Sequence, residues 1–197
     1  MSSVSGIYFS DNYLSGPIPA SIGNFRNLVW LDLSGNYLSG SIPNEIGLLE
    51  SLFVLHLLGN NLTGVIPISI GNLTNLSVLF LHQNSFSGLI PPMPTSITVL
   101  QLSHNRLSGP LPESLCLGGV LTLLGVINNS LSGPMPSSLR NCKSLIRVRL
   151  DGNHFTGKIS EAFGIYPDLT YIALSNNRFY GEMGAESLFN CLTNLQQ

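Results

Sequence analysis

The chain has 197 residues and a net charge of −2 at pH 7, and only 9% of its residues are charged, so it offers no basic surface for nucleic acid or an acidic membrane. Its 20 glycines and 12 prolines argue against long helices. It contains no apolar run of about 18 residues that could span a membrane, and residues 1–12 have neither the basic nor the apolar region of a signal peptide.

One motif, L-x-x-L-x-L-x-x-N-x-x-x-G, recurs along almost the whole sequence. Its asparagine falls at Asn12, Asn36, Asn60, Asn84, Asn105, Asn129, Asn153 and Asn177. In every copy a glycine follows four residues later. Successive copies are 24 residues apart, except that Asn84 and Asn105 are separated by 21 residues. Such self-similarity is the signature of a solenoid built from stacked repeats.

Each copy predicts the same elements in the same order along the chain. The alternating leucines, such as Leu31 and Leu33, predict a short strand whose leucines point into the core. The asparagine then turns inward, where its amide can bond backbone groups of the loop that follows. The glycine adopts a backbone conformation that is closed to other residues. Residues 40–49 show the next segment, whose proline restricts it to a short extended piece and a 3₁₀ turn.

Stacking these copies predicts a curved parallel solenoid, because one copy cannot bury its apolar face alone. The concave face carries a parallel β-sheet, and the convex face carries short strands and 3₁₀ turns. After Gly88 the sequence LIPPMPTSITVLQL has three prolines and lacks the usual Ile-Gly-Asn-Leu element. We expect a shortened convex turn there, because deletions in repeats map to the outer loops.

The consensus L-x-x-L-x-L-S-x-N-x-L-S-G-x-I-P-x-x-I-G-N-L resembles the plant extracellular leucine-rich repeat, over residues 4 to about 181. Its L-S-G-x-I-P form is similar to that of plant receptor-like kinases and receptor-like proteins. Residues 138–149 and 159–167 most resemble the male-discoverer-interacting receptor-like kinases. The resemblance implies a leucine-rich-repeat solenoid on the extracellular side of the plasma membrane. It also implies a secreted peptide or a leucine-rich-repeat co-receptor kinase as partner, and signalling through a cytoplasmic Ser/Thr kinase of the parent receptor.

We interpret residues 1–197 as a single leucine-rich-repeat domain of about eight 24-residue repeats. The sequence departs from the family because it has no cap at either end, no transmembrane segment and none of the kinase motifs. We therefore expect a non-enzymatic fragment without a cofactor. Its first and last coils should expose apolar edges and unpaired strand groups, because solenoids need capping repeats.

The residues on either side of the inward leucines should face the concave surface, where repeat proteins usually bind. Arg147 and Arg149 share this face, about 7 Å apart along one strand. Gly125 and Ala173 flank Arg149 and leave space around it, and Tyr171 flanks Arg147, where its ring can stack on the guanidinium. Two planar guanidinium groups in an uncrowded place suit a carboxylate.

The spacing of the two arginines is similar to the Arg-x-Arg element with which several plant peptide receptors hold the C-terminal carboxylate of a ligand. The resemblance implies this role for Arg147 and Arg149. The alternative is an ordinary solvated ion pair, because Asp151 lies two residues beyond Arg149 on the same face and can neutralise it.

A second candidate region for ligand contact lies on the same face in the first half of the chain. It comprises Trp30, Asp32, His56, Phe80 and His82. The alternative is an ordinary solvent-facing surface, because single exposed apolar residues need no explanation. His56 and His82 fall on neighbouring strands, but no third ligand accompanies them, so we expect no metal site.

Two further sets of residues bear on secretion. N-glycosylation motifs begin at Asn61, Asn72, Asn75 and Asn128, and none of them uses a repeat asparagine. A glycan on Asn128, at the edge of the concave face, would hinder the access of a ligand to that face.

Cys116 and Cys142 occupy nearly the same position on successive coils. We favour buried free thiols over a disulfide for them, since cysteine is often a small core residue. The remaining cysteine is Cys191.

These observations favour a peptide-sensing ectodomain fragment of a plant receptor kinase. The alternatives are a secreted leucine-rich-repeat inhibitor such as the polygalacturonase-inhibiting proteins, a receptor-like protein without a kinase, and a truncated gene product without function. Catalysis is disfavoured because no Ser/His/Asp or Cys/His set converges, and an open solenoid surface seldom excludes water.

Overall fold

A computed structural model describes residues 3–182 of the chain. Each sequence repeat forms one coil, which contains an inner strand, an asparagine turn, a second short strand and a returning convex segment. Cys191 lies outside the described residues.

The strands of residues 3–182 are short and all pair in parallel. In chain order they are β1 (Gly6–Tyr8), β2 (Ser15–Pro17), β3 (Trp30–Asp32), β4 (Tyr37–Gly40), β5 (Val54–His56), β6 (Asn61–Val65), β7 (Val78–Phe80), β8 (Ser85–Gly88), β9 (Val99–Gln101), β10 (Arg106–Gly109), β11 (Leu123–Gly125), β12 (Ser130–Gly133), β13 (Arg147–Arg149), β14 (His154–Lys158), β15 (Tyr171–Ala173) and β16 (Arg178–Tyr180).

The odd-numbered strands form one eight-stranded sheet in chain order, and the even-numbered strands form a second. In the first sheet, equivalent residues of successive coils pair directly, so that Arg147 lies between Leu123 and Tyr171. The predicted leucine-rich-repeat solenoid is therefore confirmed. Because equivalent residues pair without a shift in register, the side chains on the concave face of the first sheet form straight columns across the coils.

The core consists of the inward leucines and the apolar residues of the convex segments. Leu31, Leu55, Leu79, Leu100 and Leu124, the central residues of five successive inner strands, are completely buried. Each such leucine contributes about 1.5–3 kcal/mol by leaving water. The core runs continuously from coil to coil, so each coil depends on its neighbours for stability.

The repeat asparagines are inward, as predicted, but their bonding partners differ from the prediction. The Nδ2 group of Asn60 donates to the carbonyls of Leu33, Leu57 and Leu58, and its Oδ1 accepts the backbone N–H of Leu38 at 3.0 Å. These partners belong to the preceding coil and to the turn before Asn60, so the expectation of bonds to the following loop is wrong. The following loop is bonded by the next asparagine, because stacking places the preceding turn within reach of each amide.

The repeat glycines require a left-handed backbone. Their φ angles range from +74° at Gly109 to +123° at Gly157. Residues with a Cβ rarely adopt this region, so the glycine in the motif is explained by backbone geometry.

Four of the convex segments form a short helix that begins directly after a proline, and a fifth such helix follows Lys158. The 3₁₀ helices are Ala20–Asn24, Asn44–Leu48 and Ile68–Asn72, and the later coils contain the single-turn helices α1 (Ser137–Arg140) and α2 (Ile159–Ala162). Residues 89–98 contain no helix, which agrees with the shortened turn expected after Gly88. Pro91, Pro92 and Pro94 explain this difference, because they lack the N–H groups that a helical turn needs.

Cys116 and Cys142 form a disulfide between two successive coils, so the prediction of free thiols is wrong. Both cysteines are buried, and their Cα atoms are 5.8 Å apart, within the usual range for a disulfide. Stacking brings equivalent convex positions together, and the pair joins the convex segment that precedes β11 to the one that precedes β13. Such a bond is typical of proteins that fold in an oxidising compartment.

The end of the solenoid at β1 and β2 exposes apolar side chains, as expected for the first coil. Phe9 is 53% exposed, Tyr13 is 87% exposed and Leu14 is 41% exposed. Within residues 3–182, β1 pairs only with β3, and β2 pairs only with β4. The last coil cannot be compared in this way, because residues 183–197 lie outside the described part.

Candidate functional site: the concave face

The structure brings four of the candidate residues into one group, which we call the aromatic cluster: Trp30, His56, Phe80 and His82. The ring centroids of His56 and Phe80 are 4.5 Å apart, and the two rings are stacked. Trp30 meets His56 edge-on at 5.8 Å, and His82 meets Phe80 edge-on at 5.7 Å. Because His56 and Phe80 cover each other's faces, the cluster presents edges rather than flat surfaces to a ligand.

Asp32 supports the aromatic cluster through bonds within the protein. Its Oδ1 accepts the backbone N–H of Ser34 at 3.0 Å and the hydroxyl of Ser34 at 2.6 Å. Its Oδ2 lies 3.5 Å from Nδ1 of His56, and both side chains are only 17% exposed. The Asp32 carboxylate is therefore occupied by neighbours from its own and the next strand.

The surroundings of His82 shift its pKa. Burial lowers the pKa of His82 below its usual 6.5, and the positive charges of His104 and His56 add to this effect. The Nδ1 atom of His82 is buried without a hydrogen-bond partner in the described part of the chain, as is Nε1 of Trp30. At pH 6.5 and above, His82 is therefore mainly neutral.

The other candidate region consists of Arg147 and Arg149, which we call the arginine pair. Both side chains are exposed on β13. The guanidinium carbon of Arg147 lies 4.9 Å from the centroid of the Tyr171 ring, which confirms the predicted contact. The guanidinium carbon of Arg149 lies 6.0 Å from the same centroid. Stacking of this kind orients a guanidinium while leaving its N–H groups free at the edge.

Neither arginine of the pair forms a salt bridge within residues 3–182. Asp151, the expected neutralising partner of Arg149, instead accepts the backbone N–H of Ser175 at 3.3 Å. The alternative ion pair is therefore not formed in this structure. The concave face carries two exposed positive charges, and no acidic side chain of the described residues lies within salt-bridge distance of either.

The space beside Arg149 is partly filled by Gln101, a residue that the sequence analysis did not single out. A Cβ atom on Gly125 would lie 2.7 Å from Cδ of Gln101 and would meet its carboxamide oxygen. Gln101 thus leans across Gly125, the residue that pairs with Arg149 of β13. The sequence does contain a signal for this arrangement. Gly125 interrupts a column of larger side chains, and the long polar side chain of Gln101 is its neighbour in that column.

The aromatic cluster and the arginine pair do not touch each other. Trp30 lies on β3 and the arginine pair lies on β13, five inner-strand intervals away in the same sheet. At about 4.8 Å per interval, Trp30 is about 24 Å from the arginine pair, whereas Phe80 on β7 is three intervals or about 14 Å away. An extended peptide of about seven residues covers the longer distance.

The four candidate glycosylation sites are all exposed. Asn128 has a left-handed backbone with φ of +51°, and its Nδ2 lies 3.3 Å from Nδ1 of His104. The position of Asn128, after the end of an inner strand, agrees with its expected place at the edge of the concave face.

Residues 3–182 contain no group of three or more His, Cys, Asp or Glu side chains that could hold a metal ion. No helix in this range has the length and hydropathy needed to cross a bilayer.

Comparison with known sequences identifies the repeat. The Leucine Rich Repeat family matches residues 3–25, 27–49, 51–73, 75–97 and 96–117, which is more than half of the chain. No curated protein sequence matches the chain.

Comparison with solved structures gives similar folds in plants. The chain is similar to the Arabidopsis receptor kinase HAESA, solved in complex with the peptide hormone IDA and the co-receptor SERK1, with 38% identity and a TM-score of 0.89 over 94% of this chain and 32% of HAESA. It is 37% identical to a TDR receptor, with a TM-score of 0.85 over 91% of this chain and 32% of that one. A plant ice-binding protein is 31% identical, with a TM-score of 0.85 over 93% of this chain and 60% of its own. The chain spans about a third of the length of the two receptors.

Proposed function

Because the chain belongs to the leucine-rich repeat family, we propose that it is a ligand-binding part of the extracellular domain of a plant receptor kinase. In this proposal Arg147 and Arg149 bind the C-terminal carboxylate of a secreted peptide. The partner kinase of the signalling complex is a leucine-rich-repeat co-receptor. The finer assignment to the male-discoverer-interacting receptor-like kinases rests only on the sequence of residues 138–149 and 159–167.

The observation that carries the proposal is the uncompensated arginine pair on the concave face. Two guanidinium groups on one strand, with Arg147 stacked on Tyr171, offer several N–H donors to one anion. A carboxylate accepts such donors in a bidentate manner, which gives both strength and geometric selectivity. Gln101 adds an amide next to the same place.

The solved structures support a receptor role, since the HAESA structure contains a peptide hormone and a co-receptor. The disulfide between Cys116 and Cys142 and the four exposed glycosylation motifs support an extracellular location. The aromatic cluster, about 14–24 Å from the arginine pair, provides an aromatic surface for the earlier residues of an extended peptide.

The test compares peptides that end in a carboxylate with the same peptides ending in an amide. The probes are fluorescently labelled pools of peptides of about ten residues, mixed at every position except the last. We expect the free-acid pools to bind the full chain more tightly than the amide pools. The variant carrying Arg147→Ala and Arg149→Ala should bind the free-acid pools about 100-fold more weakly, because hydrogen bonds to charged groups contribute about 1.5–3 kcal/mol each.

The matched control is the variant carrying Arg106→Ala and Arg178→Ala, which removes two exposed arginines from β10 and β16 of the second sheet. It changes the net charge by the same amount and should leave the affinity unchanged. Equal affinities for acid and amide pools, or an equal loss in both double variants, would show that the arginine pair is not a carboxylate site.

A secreted leucine-rich-repeat protein without a kinase is the second candidate. The similarity to a plant ice-binding protein supports it, because that protein has the same fold over 60% of its length. This candidate predicts no carboxylate-dependent binding in the peptide experiment. Ice binding in particular predicts a thermal-hysteresis gap for the full chain, whereas the receptor proposal predicts none.

A further inference from the structure

A shallow pocket of about 280 Å³ opens on the concave face directly beside Arg147. We call it the side-chain pocket, and its lining residues are Val99, Thr122, Leu123, Ile146, Arg147 and Thr170. It lies at the beginning of the inner strands, since Val99, Leu123 and Arg147 are the first residues of β9, β11 and β13. We propose that it receives an aliphatic side chain from the C-terminal residue of the peptide, an inference that rests on the proposed carboxylate site.

Most of the lining favours an aliphatic side chain. Val99, Leu123 and Ile146 are aliphatic, and Ile146 is 42% exposed at the rim. The hydroxyl of Thr122 donates to the carbonyl of Thr98 at 2.9 Å, and the hydroxyl of Thr170 donates to that of Ile146 at 3.1 Å. Both hydroxyl protons are therefore already used within the protein. A polar side chain in the pocket would lose water without gaining a donor from either threonine.

The position of Arg147 determines which residue of the peptide reaches the pocket, namely the last one. Its stem lines the pocket, and its guanidinium lies against Tyr171 at the edge of the pocket. The carboxylate and the side chain of a terminal residue share one Cα atom. A carboxylate bound by Arg147 therefore brings its own side chain to the pocket. The volume corresponds to several water molecules of about 30 Å³ each, which is enough for a branched aliphatic side chain.

The experiment uses the labelled peptide pools with a fixed last residue: leucine, valine, glycine, aspartate or lysine. Each pool is prepared as the free acid and as the amide, and binding to the full chain is measured by fluorescence anisotropy. We expect the leucine and valine acids to bind about tenfold more tightly than the glycine acid. A single added methylene in an apolar site has an effect of about this size, and the shallow pocket covers only part of the three or four carbons that valine or leucine adds. The aspartate and lysine acids should show no such gain.

The variant Ile146→Ser removes one wall of the pocket without touching either arginine. We expect the preference for leucine over glycine to disappear, while the preference for acid over amide remains. The matched control is Val29→Ser, because Val29 occupies the equivalent position five coils earlier and is 41% exposed. Val29→Ser should preserve both preferences, and thermal melting of both variants checks that they are folded.

The outcomes separate this inference from the proposed function. If the acid pools bind more tightly than the amide pools but leucine, glycine and aspartate are equal, the pocket is not a side-chain site and the carboxylate site stands. If Ile146→Ser keeps the preference for leucine, the preference arises elsewhere and the inference is wrong. If no pool distinguishes acid from amide, both the carboxylate site and the pocket assignment are wrong.

Discussion

The aromatic cluster and the arginine pair lie on the same sheet, yet their polar groups are in different states. Beside the cluster, Asp32 accepts hydrogen bonds from Ser34 and contacts His56, and the rings of the cluster pack on one another. In the arginine pair, both side chains are exposed, and no acidic group of residues 3–182 neutralises them. Groups that already have partners stabilise the fold, whereas charges without partners are available to a ligand. The sequence alone makes both regions equally good candidates for ligand binding. The hydrogen bonds and ion pairs in the structure distinguish them.

The largest effect on stability should come from breaking the support of the aromatic cluster. Asp32→Ala leaves the N–H of Ser34 without its acceptor and His56 without its carboxylate, so the free energy of unfolding should fall by about 2 kcal/mol. Urea unfolding measures this loss. Asp151→Ala is the control, because Asp151 has one bond of 3.3 Å to Ser175, and it should cost under about 0.5 kcal/mol. Equal losses would remove the distinction between the two carboxylates.

A smaller effect, on peptide affinity, should show whether Gln101 contributes to binding at the arginine pair. Gly125→Ala places a Cβ where the amide of Gln101 lies, and the flexible Gln101 side chain has to move away from Arg149. The affinity for free-acid peptides should fall about fivefold, which corresponds to one neutral hydrogen bond. Gln101→Ala should give the same loss in the anisotropy measurement. An increased affinity in either variant would mean that Gln101 blocks the site instead of contributing to it.

The smallest effect is a pH dependence that arises from His82. Its lowered pKa means that the unfolded chain takes up a proton near pH 6.5 before the folded chain does, so the free energy of unfolding should decrease as the pH falls below 6.5. His82→Phe removes the titrating group and should reduce this decrease, as measured by urea unfolding at pH 7 and at lower pH. His154→Phe, which changes an exposed histidine, should not. Identical pH slopes in all three proteins would contradict the account of His82.

The repeat pattern predicts the fold because leucine alternation, the asparagine and the glycine each have one structural solution in a stacked coil. The same register predicts that Arg147 lies beside Tyr171. The bonding of Asn60 was mispredicted because the sequence does not say which neighbouring turn an inward amide can reach. The bond between Cys116 and Cys142 was missed because it depends on how two convex segments align in space. The leaning of Gln101 depends on side-chain rotamers, which a single sequence does not specify.

The central claim is that the arginine pair is available for a ligand and contributes little to the fold. The most direct test measures two properties of the variant carrying Arg147→Ala and Arg149→Ala: its free energy of unfolding and its affinity for free-acid peptides. We predict a free energy of unfolding within about 0.5 kcal/mol of the unmodified chain and an affinity about 100-fold lower. Unchanged affinity, or a loss of stability as large as that of Asp32→Ala, would contradict the account.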